Sequence, residues 1–301
     1  MNYTLNIKGQ LLSLEKPVVM GILNATPDSF YASSRQQAES DIRRRAREII
    51  EQGGKIIDVG AYSTRPGHEE ITQEEEMARL RTALKAVNEE VADAIISVDT
   101  FRPDVARMVV EEYGAAIIND VSEGYQSLDI LKGEISKPIQ ANGNKAKGEY
   151  NQSLQGDDAD TFDTTMFRMV ARLGVPYILM SLQPDLRSTL MMFAKKVQLL
   201  RDMGQKDIIL DPGFGFGKTL EQNFQLYNEL EKLSVMELPL LVGISRKSMI
   251  FKLLNCTPNE SLNGTSVLNT IAIMKGASIL RVHDVKEAVE CCKITSQFSK
   301  K

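Results

Sequence analysis

The stretch DIILDPGFGFGKTLEQNFQLY, residues 207–227, decides the fold. Its opening, DIILDP (207–212), is a short apolar run of the kind that forms a buried strand. Gly213, Gly215 and Gly217 then alternate, which lets the backbone turn sharply off that strand. Thr219 and Gln222 make a T-x-x-Q capping box, and Leu220, Phe224 and Tyr227 follow along one helical face. The unit is therefore strand, turn, helix. The Gly-Lys-Thr ending invites a nucleotide-binding reading, and the spacing excludes it. A Walker loop needs glycine where Pro212 stands, and a dinucleotide fingerprint needs two residues between its second and third glycines, where this chain has one.

Seven further runs of the same kind lie along the chain: VVMGILN (18–24), KIIDVG (55–60), AIISVD (94–99), AAIIND (115–120), YILMS (177–181), LLVGIS (240–245) and SILRVH (278–283). They are almost continuously apolar, as parallel strands covered on both faces require. Helical patterns separate them. After the last, Asp284 is placed to cap a helix whose Val285, Ala288, Val289 and Cys292 share a face. Eight β-then-α units predict a (β/α)8 TIM barrel, a single domain over residues 1–301; a doubly wound open sheet is the competing α/β architecture and more often stops at fewer strands. Residues 125–162 break the rhythm. They are polar and rich in Gly, Asn, Lys and Asp, and they form a long insertion after the fourth strand, on the C-terminal rim, that reads as either a surface insertion or a lid.

Composition narrows the function. The net charge of −4 argues against a broad nucleic-acid surface. VVMGIL is too short for a membrane span or a signal core, so the expectation is a cytoplasmic protein with no membrane partner. Cys256, Cys291 and Cys292 form no C-x-x-C pair and read as reduced, and with only His68 and His283 beside them they argue against a dedicated zinc site.

Polar groups recur at the strand ends: Asn24, Asp58 within its strand, Asp99, Asn119 with Asp120, Ser181, Asp211, Ser245 with Arg246 and Lys247, and Arg281 with His283. Any one alone reads as a cap or a loop group, and Asp120 and Asp284 are taken as structural. In a barrel all the tips meet at one mouth. Two carboxylates and an amide beside a lysine suit a ligand with a row of N–H donors and some acceptors. Asn24, Arg281 and His283 come from the first and last strands and suit a phosphate group, with a metal on it.

The motifs MGILNATPDSF (20–30), IDVGAYSTRPG (57–67), ISVDTFRP (96–103), INDVS (118–122), ILDPGFGFGKTLEQN (209–223), VGISRKS (242–248) and IMKGASILRVHDVKEA (273–288) together resemble the dihydropteroate synthase family, the pterin-binding barrels of folate biosynthesis. They run in order over nearly the whole chain. The resemblance implies condensation of a 6-hydroxymethyl-dihydropterin diphosphate with 4-aminobenzoate, release of pyrophosphate, competition by sulfonamides at the aminobenzoate position, and a homodimer. It places Asp99, Asn119, Met180, Asp211 and Lys247 at the pterin, and Asn24, Thr64, Arg281 and His283 at the pyrophosphate, with Mg²⁺ near Asn24. Asp28, Phe30, Thr64, Arg65, Pro66, Phe216 and Ser245 fall at the aminobenzoate. Asp99, Lys247, Arg281 and His283 would carry the chemistry, by a dissociative route through a pterin cation. By the same reading Lys218 and Thr219 are structural.

The chain departs from the family on its rim loops. SFYASSRQ (29–36) stands where Asp-Gly-Gly is usual, GAYS (60–63) for Gly-Gly-Glu-Ser, and MSLQPD (180–185) puts Ser181 at a histidine position. Two further readings follow: a divergent pterin-binding paralogue with weak activity or a regulatory role, and a methyltetrahydrofolate methyltransferase-like enzyme. The STRPG, SRK and RVHD stretches favour the synthase over the methyltransferase.

Overall fold

The apolar runs pair side by side. A computed structural model describes residues 3–25, 35–62, 71–125 and 164–298. Strands β1 (Thr4–Ile7) and β2 (Gln10–Ser13) form an antiparallel hairpin; β3 (Val18–Asn24), β4 (Ile56–Gly60), β5 (Ile95–Asp99), β6 (Ile117–Asp120), β7 (Tyr177–Met180), β8 (Ile208–Asp211), β9 (Leu241–Val242) and β10 (Ile279–Val282) form one sheet of parallel neighbours. Their order is β8-β7-β6-β5-β4-β3-β10-β9, and a parallel bridge between Leu210 and Leu240 joins the two outer strands. The sheet thus closes into the expected (β/α)8 barrel. Around it lie α1 (Arg35–Glu51), α2 (Gln73–Glu90), α3 (Pro103–Tyr113), α4 (Thr165–Leu173), α5 (Leu186–Asp202), α6 (Leu220–Asn228), α7 (Ser248–Leu253), α8 (Leu262–Met274) and α9 (Val285–Thr295).

Strand periodicity builds the site. Alternate residues face the barrel axis. Met20, Ile56, Ile117, Ile178, Ile209, Leu241 and Ile279 form an apolar interior floor. Two residues further along the same strands come Ile22, Asp58, Asn119, Met180, Asp211, Gly243 and Arg281. One step of the pleat therefore changes the interior from hydrocarbon to polar groups. The other parity packs outward on the helices in a separate core that includes Ile57, Val59, Leu179 and Leu210.

The β1–β2 hairpin was not legible as strands. Leu5, Ile7 and Leu14 join the floor cluster and cover it from below, and Asn6 N–H bonds the Asp207 carboxylate at 3.2 Å, at the start of β8. Four-residue strands carry little periodic signal. The available hint was the Lys8-Gly9 pair, whose φ values of 52° and 86° make the two-residue hairpin turn.

Three other expectations change. LLVGIS shortens to Leu241–Val242, where the side chain of Arg281 passes over Gly243: a Cβ there would lie 3.7 Å from Arg281 Cβ. On α9 the buried residues are Val285, Ala288, Cys291 and Thr295, with Val289 and Cys292 at the edge of that face; Val289 covers Gly53 instead. Asp284 occupies the cap position of α9 but makes no capping bond, because its carboxylate is held bidentately by Arg246 at 2.8 Å. Residues 126–162 of the predicted insertion lie outside the described residues.

Candidate active site

The turn after β8 shows how locally the site is built. Gly213, Gly215 and Gly217 have φ of 68°, 80° and 61°, all in the left-handed region. A Cβ on Gly213 would stand 2.0 Å from the Ser181 carbonyl oxygen, so glycine is required there twice over. Asp211 Oδ1 accepts the Gly213 N–H at 2.7 Å, which pins the carboxylate at the strand tip. Lys218 donates to the carbonyls of Ser181, Gly213 and Phe216 at 3.1, 3.0 and 3.3 Å. It clamps the turn. Thr219 closes the capping box of α6 with Gln222, both bonds being present. Met180 is fully buried beneath this turn.

Lys247 reaches in from the next unit. Its Nζ donates to the Phe214 carbonyl at 2.5 Å and stands 4.4 Å from the Phe216 ring centre. Burial drives its pKa down to about 7, with Arg281 and Lys218 adding to the fall and Asp211 opposing it. The Asp211 pKa is raised, first by burial, against the pull of Lys247.

Asp58, Asp99, Asn119 and Arg281 form one connected group. Arg281 Nε donates to Asp58 Oδ2 at 2.6 Å and its Nη2 to Asp99 Oδ2 at 2.8 Å. Asp58, with no exposed surface, also accepts from Ser97 Oγ at 2.6 Å and from Asn119 Nδ2 at 3.1 Å. Asn119 Oδ1 is buried without a partner. A buried acceptor left open inside a polar ring is the mark of a ligand position. Burial raises the Asp99 pKa to about 7; Asp58, Glu76 and Asp120 push the same way and Arg281 pulls it down. The Arg281 pKa is raised: Asp58 and Asp99 together outweigh the burial that would lower it.

Asn24 and His283 lie at the ends of β3 and β10, which pair as neighbours. The Asn24 side chain is exposed. Ser245 Oγ lies 3.1 Å from His283 Nδ1 and accepts the His283 N–H at 3.1 Å, so Ser245 orients the histidine. Arg45 of α1 braces the same corner through the carbonyls of Ile22 and His283, at 3.2 and 2.6 Å. Arg281 turns inward to the carboxylates rather than across to Asn24. Asp28, Phe30, Thr64, Arg65 and Pro66 lie outside the described residues. Asp120 is structural as expected, accepting from Ser122 Oγ at 2.6 Å and Tyr177 Oη at 2.5 Å.

Ser181 sits where the family's histidine was expected. It is fully buried, and its hydroxyl accepts the Gln183 N–H at 3.1 Å, tightening the loop before α5. Beside it is a buried pair that sequence reading missed. Glu123 accepts the Leu182 N–H at 2.7 Å and the Gln183 Nε2 at 3.0 Å, and lies 3.3 Å from Lys196 Nζ. Lys196 also donates to the Glu123 carbonyl at 2.6 Å, and burial lowers its pKa. The pair ties the β6 loop to α5 across 73 residues of sequence, a distance no local pattern spans, while the other Glu123 bonds hold the β7 loop. Lys196→Met leaves Glu123 buried without its counter-ion. Equilibrium urea unfolding is expected to show a loss of about 3–5 kcal/mol, recovered in part by adding Glu123→Gln; an unchanged midpoint would make the pair energetically idle.

The chain matches the family described as "Pterin binding enzyme" over residues 20–135 and 150–283. It is 37% identical to dihydropteroate synthase of Escherichia coli K12 over 294 residues, covering 95% of this chain and 93% of that one. It is 34% identical to dihydropteroate synthase of Bacillus subtilis 168 over 282 residues, covering 93% and 88%. The chain belongs to the dihydropteroate synthase family. Its fold is similar to that of the Xanthomonas albilineans dihydropteroate synthase solved with 4-aminobenzoic acid, at TM-score 0.80 and 27% identity with both chains fully covered. It is also similar to the Yersinia pestis enzyme solved with a pterine-sulfa conjugate, at TM-score 0.77 and 31% identity, covering 99% of this chain and all of that one.

Asp58 is the residue in this family site that sequence reading undervalued. A carboxylate in the middle of the apolar run IIDVG was the available signal, since it shares its face of the strand with Ile56 of the floor.

Proposed function

We propose that the barrel mouth binds a pterin diphosphate and an arylamine and transfers the pterinylmethyl group between them, as dihydropteroate synthase. The observation that carries this is the connected polar group of Asp58, Asp99, Asn119 and Arg281 inside the barrel, in which the buried Asn119 Oδ1 acceptor is left open. Asp211 accepts the paired N–H and NH2 edge of the pterin, Asn119 Oδ1 takes another ring N–H, and Lys247 donates to the carbonyl and ring nitrogen. The C–O bond to pyrophosphate breaks with its electron pair going to oxygen, and Asp99 faces the resulting cation. The neutral aryl nitrogen forms the new C–N bond and then loses a proton. Arg281 and His283 hold the departing anion. Phe216 walls the arylamine, with Ser245 at its edge.

Asn24 fits Mg²⁺ through one neutral, exposed oxygen at the mouth, the sparse ligation of an ion that keeps its waters and arrives on a phosphate. When bound, Mg²⁺ neutralises charge on the leaving group. Among the described residues no group of three or more His, Cys, Asp or Glu is placed to hold a metal, and no helix is long and apolar enough to cross a membrane. Cys256, Cys291 and Cys292 are free, as a reducing cytoplasm would keep them. Exposed Leu253, Val267, Met274 and Ile294 on neighbouring α7, α8 and α9 suit a second copy of the chain, and light scattering should then return twice 33.5 kDa.

The test is pyrophosphate release with both substrates present, inhibited competitively against 4-aminobenzoate by a sulfonamide. Pterin binding without release would instead make this chain a pterin-binding protein without synthase activity.

The working form needs Asp99 ionised and Lys247 protonated. Asp99 is lost as pH falls through its raised pKa of about 7, and Lys247 as pH rises through its lowered pKa of about 7. The profile of kcat/KM for the pterin substrate is therefore expected to be a narrow bell with its top near neutrality. A flat profile from about pH 5.5 to about 9 would remove both groups from the rate law.

A further inference from the structure

A carboxylate oxygen only accepts hydrogen bonds, so the group that Asn119 turns toward Asp58 Oδ2 must be its NH2, at 3.1 Å. The amide carbonyl then faces the other way and is the buried oxygen left open for ligand. The same Asp58 oxygen takes Arg281 Nε at 2.6 Å, which sets the plane of the guanidinium, directs Nη2 to Asp99, and leaves Nη1 with no hydrogen bond to a described residue. Ser97 Oγ, bonded to the other oxygen at 2.6 Å, locks the carboxylate's rotation. Asp58 is fully buried in mid-strand and two residues above the apolar floor.

We propose that Asp58 is a positioning residue of the reaction: one carboxylate decides that Asn119 shows the pterin an acceptor and that Arg281 points its free edge at the leaving anion. This rests on the synthase reading. It makes recognition of the ring and stabilisation of the departing group depend on a single shared oxygen, so the two functions are set together.

Asp58→Asn tests it. The new amide can put its oxygen in the place of Oδ2 and its NH2 against the Ser97 hydroxyl, so Asn119 and Arg281 keep their acceptor but lose its charge. Calorimetry is expected to show pterin diphosphate bound about 10-fold more weakly, since the bonds that set Asn119 and Arg281 are no longer charge-assisted. The acid limb of the kcat/KM profile is expected to move down, because the charge of Asp58 adds to burial in raising the Asp99 pKa. The other groups acting on Asp99 are Arg281, Glu76 and Asp120, with Lys247 facing it across the pocket, and all are retained in this variant. A thermal melt accompanies the profile, because general loosening would rehydrate Asp99 and lower the same limb, whereas the positioning role lowers it with the melt unshifted. Ser97→Ala is the second arm, and it serves if Asp58→Asn does not fold. Among the described residues its hydroxyl bonds only Asp58, so the expected effect on the ligand runs through that carboxylate, and about 3–10-fold weaker pterin binding is expected. Unchanged pterin affinity in Ser97→Ala, or an unmoved acid limb in a folded Asp58→Asn, overturns the proposal. Failure of the wild-type chain to release pyrophosphate would overturn the synthase reading instead, while the binding measurements would still judge Asp58.

Discussion

Replacing Asp211 with asparagine is expected to weaken pterin diphosphate binding by about 10²–10³-fold with the fold intact, because two hydrogen bonds to a charged acceptor are lost together. The geometry makes the substitution unusually clean. Asp211 Oδ1 already accepts the Gly213 N–H at 2.7 Å, and the turn at Gly213 tolerates no other arrangement with a Cβ position 2.0 Å from the Ser181 carbonyl. In the variant the amide oxygen must keep that bond. The NH2 group is then the one facing the ligand, where the pterin presents its own donors. The backbone turn is preserved and the recognition surface is inverted. Isothermal titration with the pterin substrate and a thermal melt check it; strong binding with an unshifted melt would place the pterin elsewhere.

Arg281→Met is the second large effect, and it acts on turnover. Arg281 is the cation shared by Asp58 and Asp99, and in the proposed reaction it binds the leaving pyrophosphate. Removing a preorganised donor to a departing anion costs about 10²–10³-fold in kcat. Leaving buried carboxylates without their counter-ion adds a stability loss of about 3–5 kcal/mol. Arg281→Lys is expected to regain part of the stability and little of the rate, since a single ammonium cannot bridge both carboxylates in one plane. The pH profile supplies a sign. Arg281 lowers the Asp99 pKa, so its loss moves the acid limb up, opposite to the shift expected from Asp58→Asn. Movement in the same direction in both variants would contradict the arrangement of charges around Asp99.

The glycines after β8 show how far local pattern reaches. Their alternation already implied a turn, and positive φ at all three bears it out. Lys218 and Thr219 were read as structural, and the three carbonyls around Lys218 and the capping box at Thr219 agree. Such features are legible because donor, acceptor and backbone conformation lie within a few residues of one another.

Other parts depended on partners far along the chain. Asp284 looked like a helix cap, yet Arg246, 38 residues earlier, competes for its carboxylate and wins with two charge-assisted bonds. The hairpin over the barrel floor carries too few residues for a periodic signal, and only the exposed underside of the floor explains why it is there.

The run of eight apolar strands and the helices between them determined the barrel from sequence alone, because two-sided burial and helical amphipathicity are properties of each segment by itself. The strand tips equally marked Asp99, Asn119, Asp211, Lys247 and Arg281 as one mouth. What tertiary structure decided is how those groups face one another: Asp58 buried beneath Asn119 and Arg281, Ser245 on His283, Glu123 with Lys196. The strands that carry them are brought together only when the sheet closes. Until then the direction of each amide, guanidinium and carboxylate has no physical cause in the neighbouring sequence.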